Sequence, residues 1–325
     1  MKVHILDDWF DTLRGLPCFE KLNGHDVTVW TDHEPDPSTL ARRVQEADAL
    51  VLFRERTEIG DALLSRLPHL KLISQRSVYP HIDVVACTAN NVLLCSNMHA
   101  GTPSYAAAEL TLALILASFR QIPEQAASLK SGTWQSGVGR TLRGRTLGLY
   151  GYGRIAGAVA TYAKAMGLDV QWWASKEGRA RAKANGETVA HSREAFFATS
   201  DIVSIHVRLK PETRGVITAT DLAAMPPRSL FVNTSRAGLV AQDALEAEVA
   251  QRRIFAAVDV FDDEPLTDKT HPLLTAPNVL ATPHIGYVTE DEFDLQFLDI
   301  FDQINAYAAG DPIHMINPNV WTERP

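Results

Sequence analysis

The sequence predicts an α/β fold of two doubly wound domains. Its 325 residues exceed what one hydrophobic core usually serves. Short, nearly continuous apolar runs alternate with helical segments, the pattern of parallel strands covered on both faces. This alternation occurs twice, on either side of a long helix and a polar, glycine-rich stretch.

In the first set, VHIL (3–6), VTVW (27–30), ALVLF (49–53), LKLIS (70–74) and VLLCS (92–96) read as strands. TLARRVQEA (39–47) and GDALLSRL (60–67) read as helices between them. Tyr105, Ala108, Leu112, Ile115, Leu116 and Phe119 then recur at helical spacing. KSGTWQSGVGRTLRG (130–144) reads as a loop. In the second set, TLGLY, DVQWW, DIVSI, SLFVN, FAAVDV and NVLAT read as strands. Ile155, Val159, Ala163 and Met166 share one helix face, and AQDALEAEVAQRR (241–253) forms another helix. A last helix carries Phe293, Phe297, Ile300, Phe301 and Ile304 on one face. It follows the final strand of its set, so it is expected to cross back to the first domain.

Composition narrows the function. Apolar content of 46% and charged content of 22% are those of a soluble globular protein. A net charge of −8 disfavours nucleic acid or an anionic membrane as partner. Cys18, Cys87 and Cys95 are sparse, odd in number and lack a CxxC pair, which suits a reducing compartment. The N-terminus MKVHILDDWF does not read as a signal peptide, and AAAELTLALILASF (106–119) is too short to span a bilayer. A cytoplasmic protein is expected. None of the 11 histidines stand in HxxxH or HxH spacing, so no metal site is expected.

LGLYGYGRIAGAVA (147–160) joins a strand, a glycine turn and a helix. Gly151 and Gly153 fill the first two places of GxGxxG, and Ala156 fills the third. The first glycine permits the tight turn and the second lets a pyrophosphate approach the backbone. The helix start then holds the phosphates, and Arg154 adds charge. The alternative is a tight turn with no ligand. An acid about 20 residues further on would hold an adenosine ribose. Here DVQWW is followed by Ala174, Ser175 and Lys176, and Glu177 comes late. Lys176, Arg179 and Arg181 favour a 2′-phosphate, hence NADP over NAD; the alternative is a solvated charge run opening a helix.

Two turns and a strand mouth carry three more residues. FVNTSRAG (231–238) puts Arg236 past a strand, and VDVFDDEPL (258–266) puts Asp259 in a strand and Glu264 beyond it. ATPHIGYVTEDE (281–292) puts His284 between Pro283 and Ile285–Gly286. In a parallel doubly wound sheet these loops open at the ligand-binding edge. Each residue alone reads as a surface charge or an inert histidine. Together they are an anion receptor, a carboxylate and a titratable base, which fits a hydroxy acid beside a nicotinamide.

GYGRIA, NTSRAG, VDVFDDEPL and TPHIG, in this order and spacing, resemble the D-isomer-specific 2-hydroxyacid dehydrogenases, which include glyoxylate, hydroxypyruvate and phosphoglycerate enzymes. The resemblance covers nearly the whole chain. It implies a Rossmann-type coenzyme domain (100–288) inserted into a flavodoxin-like substrate domain (1–99 and 289–325), and a homodimer. It implies that His284 is the acid/base, that Glu264 orients it, and that Arg236 binds the carboxylate and keto oxygen of a small 2-oxo acid. Cofactor contacts are implied at Gly151, Gly153, Arg154, Ile155, Ser175, Lys176, His206, Thr234 and Asp259, the last with the nicotinamide carboxamide.

The chain departs from the family pattern where a glycine-containing loop commonly holds the substrate carboxylate. QRSVYPHID (75–83) has no glycine, and Ser77, Val78 and Tyr79 align with that loop. Tyr79 and Pro80 would reshape the pocket, and Arg76 or His81 would meet a second polar group. Ala237 and Arg208 replace a common glycine and proline. The alternative for all of these is neutral drift. Two other functions share the fold: a dinucleotide-binding regulator, and a dehydrogenase of a non-hydroxyacid substrate.

Overall fold

The structure, a computed structural model, describes residues 1–98 and 105–322. The chain divides into two compact units, Met1–Thr102 with Val288–Pro325, and Pro103–Tyr287. The boundary expected at 99/100 falls outside the described residues. Among those described, the helices of eight residues or more are α1 (Ala106–Arg120), α2 (Ile122–Lys130), α3 (Arg154–Ala165), α4 (Lys176–Ala184) and α5 (Glu290–Ala308).

The first unit holds β1 (Lys2–Ile5), β2 (Asp26–Val29), β3 (Ala49–Val51), β4 (Leu72–Arg76) and β5 (Leu93–Asn97). They are all parallel, in the order β2-β1-β3-β4-β5. This is a flavodoxin-like order, with its reversal between β1 and β3. Helix α5 belongs to this unit, although more than 180 residues separate it from β5. Phe297 packs on Phe53 at 4.7 Å between ring centroids, and Phe301 meets Phe19 edge-on at 6.2 Å. Ser74 Oγ donates to the Ile300 carbonyl at 2.9 Å, and Asp294 accepts from the Cys18 amide at 2.8 Å. The tail then covers the edge of β5, with Ile316 N–H donating to Leu94 O and Ser96 N–H to His314 O.

The second unit holds β6 (Thr146–Tyr150), β7 (Asp169–Trp173), β8 (Ile202–Ile205), β9 (Leu230–Asn233), β10 (Phe255–Val258) and β11 (Val279–Ala281). All are parallel, in the order β11-β10-β9-β8-β6-β7. Leu147, Leu149, Val159 and Ala163 pack with Ile115 and Phe119 of α1 on one face. Phe196, Phe197, Val203, Ile205 and Phe231 fill the other. Burial on both faces is why these strands read as continuous apolar runs.

Three details differ from the sequence reading. In α1, Tyr105 is exposed, and Thr111 and Leu114 join Ala108, Ile115 and Phe119 on the buried face. A separate helix, α2, follows because Gln121 is left-handed and Pro123 starts a new turn. Asp259 lies one residue beyond β10 rather than within it, its amide donating to Asn233 O at 3.0 Å. Among the described residues, no helix is long and apolar enough to cross a membrane.

Phe301 is fully buried. Phe301→Ala is expected to destabilise the first unit by about 3–5 kcal/mol, through lost transfer energy and a residual cavity. Urea unfolding followed by tryptophan fluorescence measures this; a loss below about 1 kcal/mol would remove α5 from the core of that unit.

Candidate active site

The glycine turn leaves β6 at Gly151, whose φ of +115° suits only glycine. A Cβ there would also lie 2.3 Å from the His206 carbonyl oxygen. Gly151 N–H donates to Trp173 O at 2.7 Å, and His206 N–H to Tyr150 O at 2.8 Å, so the turn is joined to the ends of β7 and β8. Gly153 caps α3 with no side chain, and a Cβ on it would meet no atom within 4 Å. The turn therefore leaves room beside the start of α3, whose first-turn N–H groups lack helical partners, and this fits a pyrophosphate. Ala156 is buried against the sheet, as the third place of the fingerprint requires. Arg154 and Ile155 are exposed on the first turn.

At the end of β7, Ser175 Oγ accepts from Gly178 N–H at 3.2 Å and caps α4. Lys176 is exposed. Arg179 stacks over Trp173 at 4.2 Å and donates to Ala174 O at 2.5 Å, while Arg181 donates to Tyr152 O at 3.2 Å. Both guanidinium groups are thus anchored at the end of β7 and beside the glycine turn. His206 Nε2 lies 2.9 Å from Ser204 Oγ, and burial pushes its pKa down to about 4, so the ring is neutral at pH 7. Thr234 Oγ1 lies 2.8 Å from Thr111 Oγ1 of α1.

Arg236, Glu264 and His284 follow β9, β10 and β11, three adjacent strands. His284 Nδ1 lies 2.5 Å from Glu264 Oε2, and both side chains are partly exposed. Glu264 Oε1 accepts from Phe261 N–H at 2.8 Å, which fixes the carboxylate plane. Burial alone would raise the Glu264 carboxyl. The His284 bond, the Phe261 amide and the charges of His284 and Arg236 outweigh it and hold the group below its ordinary value. Arg236 Nη1 donates to Ser235 O at 2.7 Å. Asn233 holds the turn under Arg236, accepting from Ser235 N–H at 3.0 Å and donating to Arg236 O at 2.9 Å. Ala237 opens a 3-10 turn, which alanine adopts as readily as glycine.

Asp259 is fully buried, and its two oxygens take three bonds from the segment that carries His284. Burial raises its carboxyl above the ordinary value, against the pull of these donors. Sequence reasoning reached Asp259 only as a cofactor contact. Its bonds to Thr282, Ile285 and Gly286 span 23–27 residues and leave no local pattern to read.

Ser77, Val78 and Tyr79 follow β4 in the first unit. Ser77 has φ +77°, the left-handed conformation that a loop glycine would supply. Its carbonyl accepts from Gln75 Nε2 at 2.9 Å and Ser96 Oγ at 2.7 Å. Arg76 Nε pairs with Asp299 of α5 at 3.0 Å. His81 is buried, burial lowers its pKa, and Tyr79 packs against the core.

The neutral His206 predicts a pH dependence. Between its ordinary 6.5 and about 4 the unfolded chain binds a proton that the folded ring refuses. Its contribution to stability is complete above the ordinary value and is lost as pH falls through that window. Urea unfolding at pH 7 and pH 5 is expected to show a smaller difference in His206→Asn than in the wild type. Equal differences would mean that the ring titrates normally.

The chain is similar to known proteins over its whole length. A profile described as "D-isomer specific 2-hydroxyacid dehydrogenase, NAD binding domain" matches residues 112–286, within the second unit. A glyoxylate reductase of Thermococcus litoralis is 31% identical over 325 residues, covering 96% of this chain and 96% of that one. A D-3-phosphoglycerate dehydrogenase of Mycobacterium tuberculosis is 37% identical over 297 residues, covering 89% of this chain and 54% of that one, so the chain spans about half the length of such relatives. The crystal structure of an oxidoreductase of Ralstonia solanacearum superposes with a TM-score of 0.93 at 41% identity, covering 100% of this chain and 98% of that one. With its glycine turn and its histidine–glutamate pair on one sheet edge, the chain belongs to the D-isomer specific 2-hydroxyacid dehydrogenase family.

Proposed function

We propose that the protein is an NAD(P)-dependent reductase of a small 2-oxo acid and, in the reverse direction, a dehydrogenase of the D-2-hydroxy acid. The 2.5 Å contact between His284 Nδ1 and Glu264, beside the charge of Arg236, carries this reading. The names of the relatives support the same substrate class. Glu264 stays a carboxylate, so it fixes the proton on Nδ1 and stabilises the imidazolium. Nε2 is then the atom that delivers a proton to the keto oxygen, or removes it in reverse. Arg236 orients the carboxylate and keto oxygen with its planar fork. When bound, the nicotinamide supplies or accepts the hydride at C2 of the acid.

The second unit is proposed as the coenzyme domain, with the phosphates at Gly151, Gly153 and Arg154. Ile155, Ser175, Lys176, His206, Thr234 and Asp259 line the rest of the cofactor site in this reading. Lys176, Arg179 and Arg181 support NADP. The first unit is proposed as the substrate domain, with Ser77, Val78 and Tyr79 binding the substrate carboxylate. Trp134 and Val138, 78% and 88% exposed in the segment after α2, support a second copy of the chain as partner. The three free, buried cysteines support a cytoplasmic setting.

The test mixes the protein with NADPH, and separately NADH, against glyoxylate, hydroxypyruvate, pyruvate and phenylpyruvate, and follows loss of reduced-nicotinamide absorbance. Oxidation with at least one acid is expected, faster with NADPH. Silence across the panel while cofactor binds would overturn the reading and favour a regulator or a non-hydroxyacid substrate. In His284→Ala, kcat is expected to fall about 10²–10⁴-fold with cofactor Kd near that of the wild type. In Arg236→Lys, kcat/KM is expected to fall about 10²-fold through lost orientation; unchanged kinetics would remove Arg236 from the site.

A further inference from the structure

His284 adopts φ +53°, a left-handed conformation that costs a non-glycine residue about 1 kcal/mol or more. Such a conformation persists only where its surroundings over-determine it. Here they do so from both sides. Thr282 N–H donates to Val258 O at 2.9 Å, which ties the preceding residues to β10. Thr282 Oγ1 donates to Asp259 Oδ1 at 2.6 Å. Beyond the histidine, Ile285 N–H donates to the same oxygen at 2.9 Å, and Gly286 N–H donates to Asp259 Oδ2 at 2.9 Å. A Cβ on Gly286 would lie 3.2 Å from that oxygen, a tight contact that favours the smallest residue there. One buried side chain thus grips the chain two residues before His284 and one and two residues after it.

We infer that Thr282 and Asp259 form a clamp that fixes the His284 backbone and so aims its imidazole at Glu264, which makes both of them positioning residues for the acid/base. The inference rests on the acid/base reading above. Asp259 N–H is bonded to Asn233 O, and Asn233 also holds the turn of Arg236. The clamp therefore ties His284 to the same strand end that holds the anion receptor. The Thr282 hydroxyl is the separable part. Valine keeps its shape and removes the donor, whereas serine keeps the donor.

The experiment compares wild type, Thr282→Val and Thr282→Ser, with folding confirmed by near-UV circular dichroism. Two quantities are read: steady-state kinetics, and the downfield Nδ1–H proton resonance of the His284–Glu264 bond. In Thr282→Val, kcat is expected to fall about 10–100-fold while KM and NADPH Kd stay within about 3-fold, because misplacement costs rate rather than binding. The resonance is expected to weaken or vanish. Thr282→Ser is expected to restore both. Wild-type kcat with an unchanged resonance in Thr282→Val overturns the clamp, as does an equal loss in the two variants. If the wild type reduces no 2-oxo acid, the acid/base reading fails on its own. The resonance then decides the clamp: lost with valine and kept with serine supports it, and unchanged with valine overturns it. Should Thr282→Val not fold, Thr282→Ala takes its place. Lost kcat and a weakened resonance with cofactor Kd intact then support the clamp, and wild-type values of both overturn it.

Discussion

Every strand of the second unit runs in the same direction, so every turn that follows a strand emerges at one edge of the sheet. That constraint gathers residues that are far apart in sequence. The glycine turn, His206, Arg236, Glu264 and His284 come from five different strand ends. Strands in a sheet lie about 4.8 Å apart, so the ends of β9, β10 and β11, from which the segments carrying Arg236, Glu264 and His284 leave, lie within about 10 Å of one another. An antiparallel sheet of the same strands would divide them between two edges. The reversal between β6 and β8 opens the crevice in which a dinucleotide can cross that edge.

The same edge supports three different titration behaviours, and local contacts decide which group does what. Glu264 is held below its ordinary value by an imidazole, an amide and two positive charges, and so remains an anion. Asp259, deeper, is raised by burial and spends its oxygens on backbone and hydroxyl donors. His206 is kept neutral by burial, with a serine hydroxyl at its ring. Separation of roles by environment is the usual way a site assigns acid, base and support among similar side chains. Among these groups His284 and Glu264 are the two in direct contact, and both side chains stay partly exposed.

Much of this was legible in the sequence, and the reasons are physical. The β-strands could be read because strands buried on both faces show as unbroken apolar runs, such as ALVLF and TLGLY. The glycine turn could be read because the tight turn and the approach to phosphate each demand a small residue. Arg236, Glu264 and His284 could be read because each stands just past a strand end. Helix α2 could not be read, because none of its residues is buried and its polar face carries no periodic signal. Tyr105 misled for a related reason: it continues the helical spacing into the solvent-exposed cap. The grip of Asp259 on the His284 loop was also hidden, since hydrogen bonds to backbone amides leave no residue-type signature.

The loop after β4, where the sequence lacks a glycine, holds an unusual backbone conformation by other means. Ser77 takes the left-handed backbone conformation without glycine, and two side-chain donors hold its carbonyl. The left-handed turn that a glycine would supply is therefore present without one. What changes relative to a glycine-containing loop is the set of side chains, with Ser77 and Tyr79 adding bulk and hydroxyl groups. Arg76 Nε is paired with Asp299 of α5 at 3.0 Å, so part of its charge is already balanced within the first unit. In the substrate role proposed for this loop, the shape and hydroxyls of Ser77 and Tyr79 are what would tell one acid from another. In the same proposal charge recognition centres on Arg236, whose planar donors suit the carboxylate common to all 2-oxo acids.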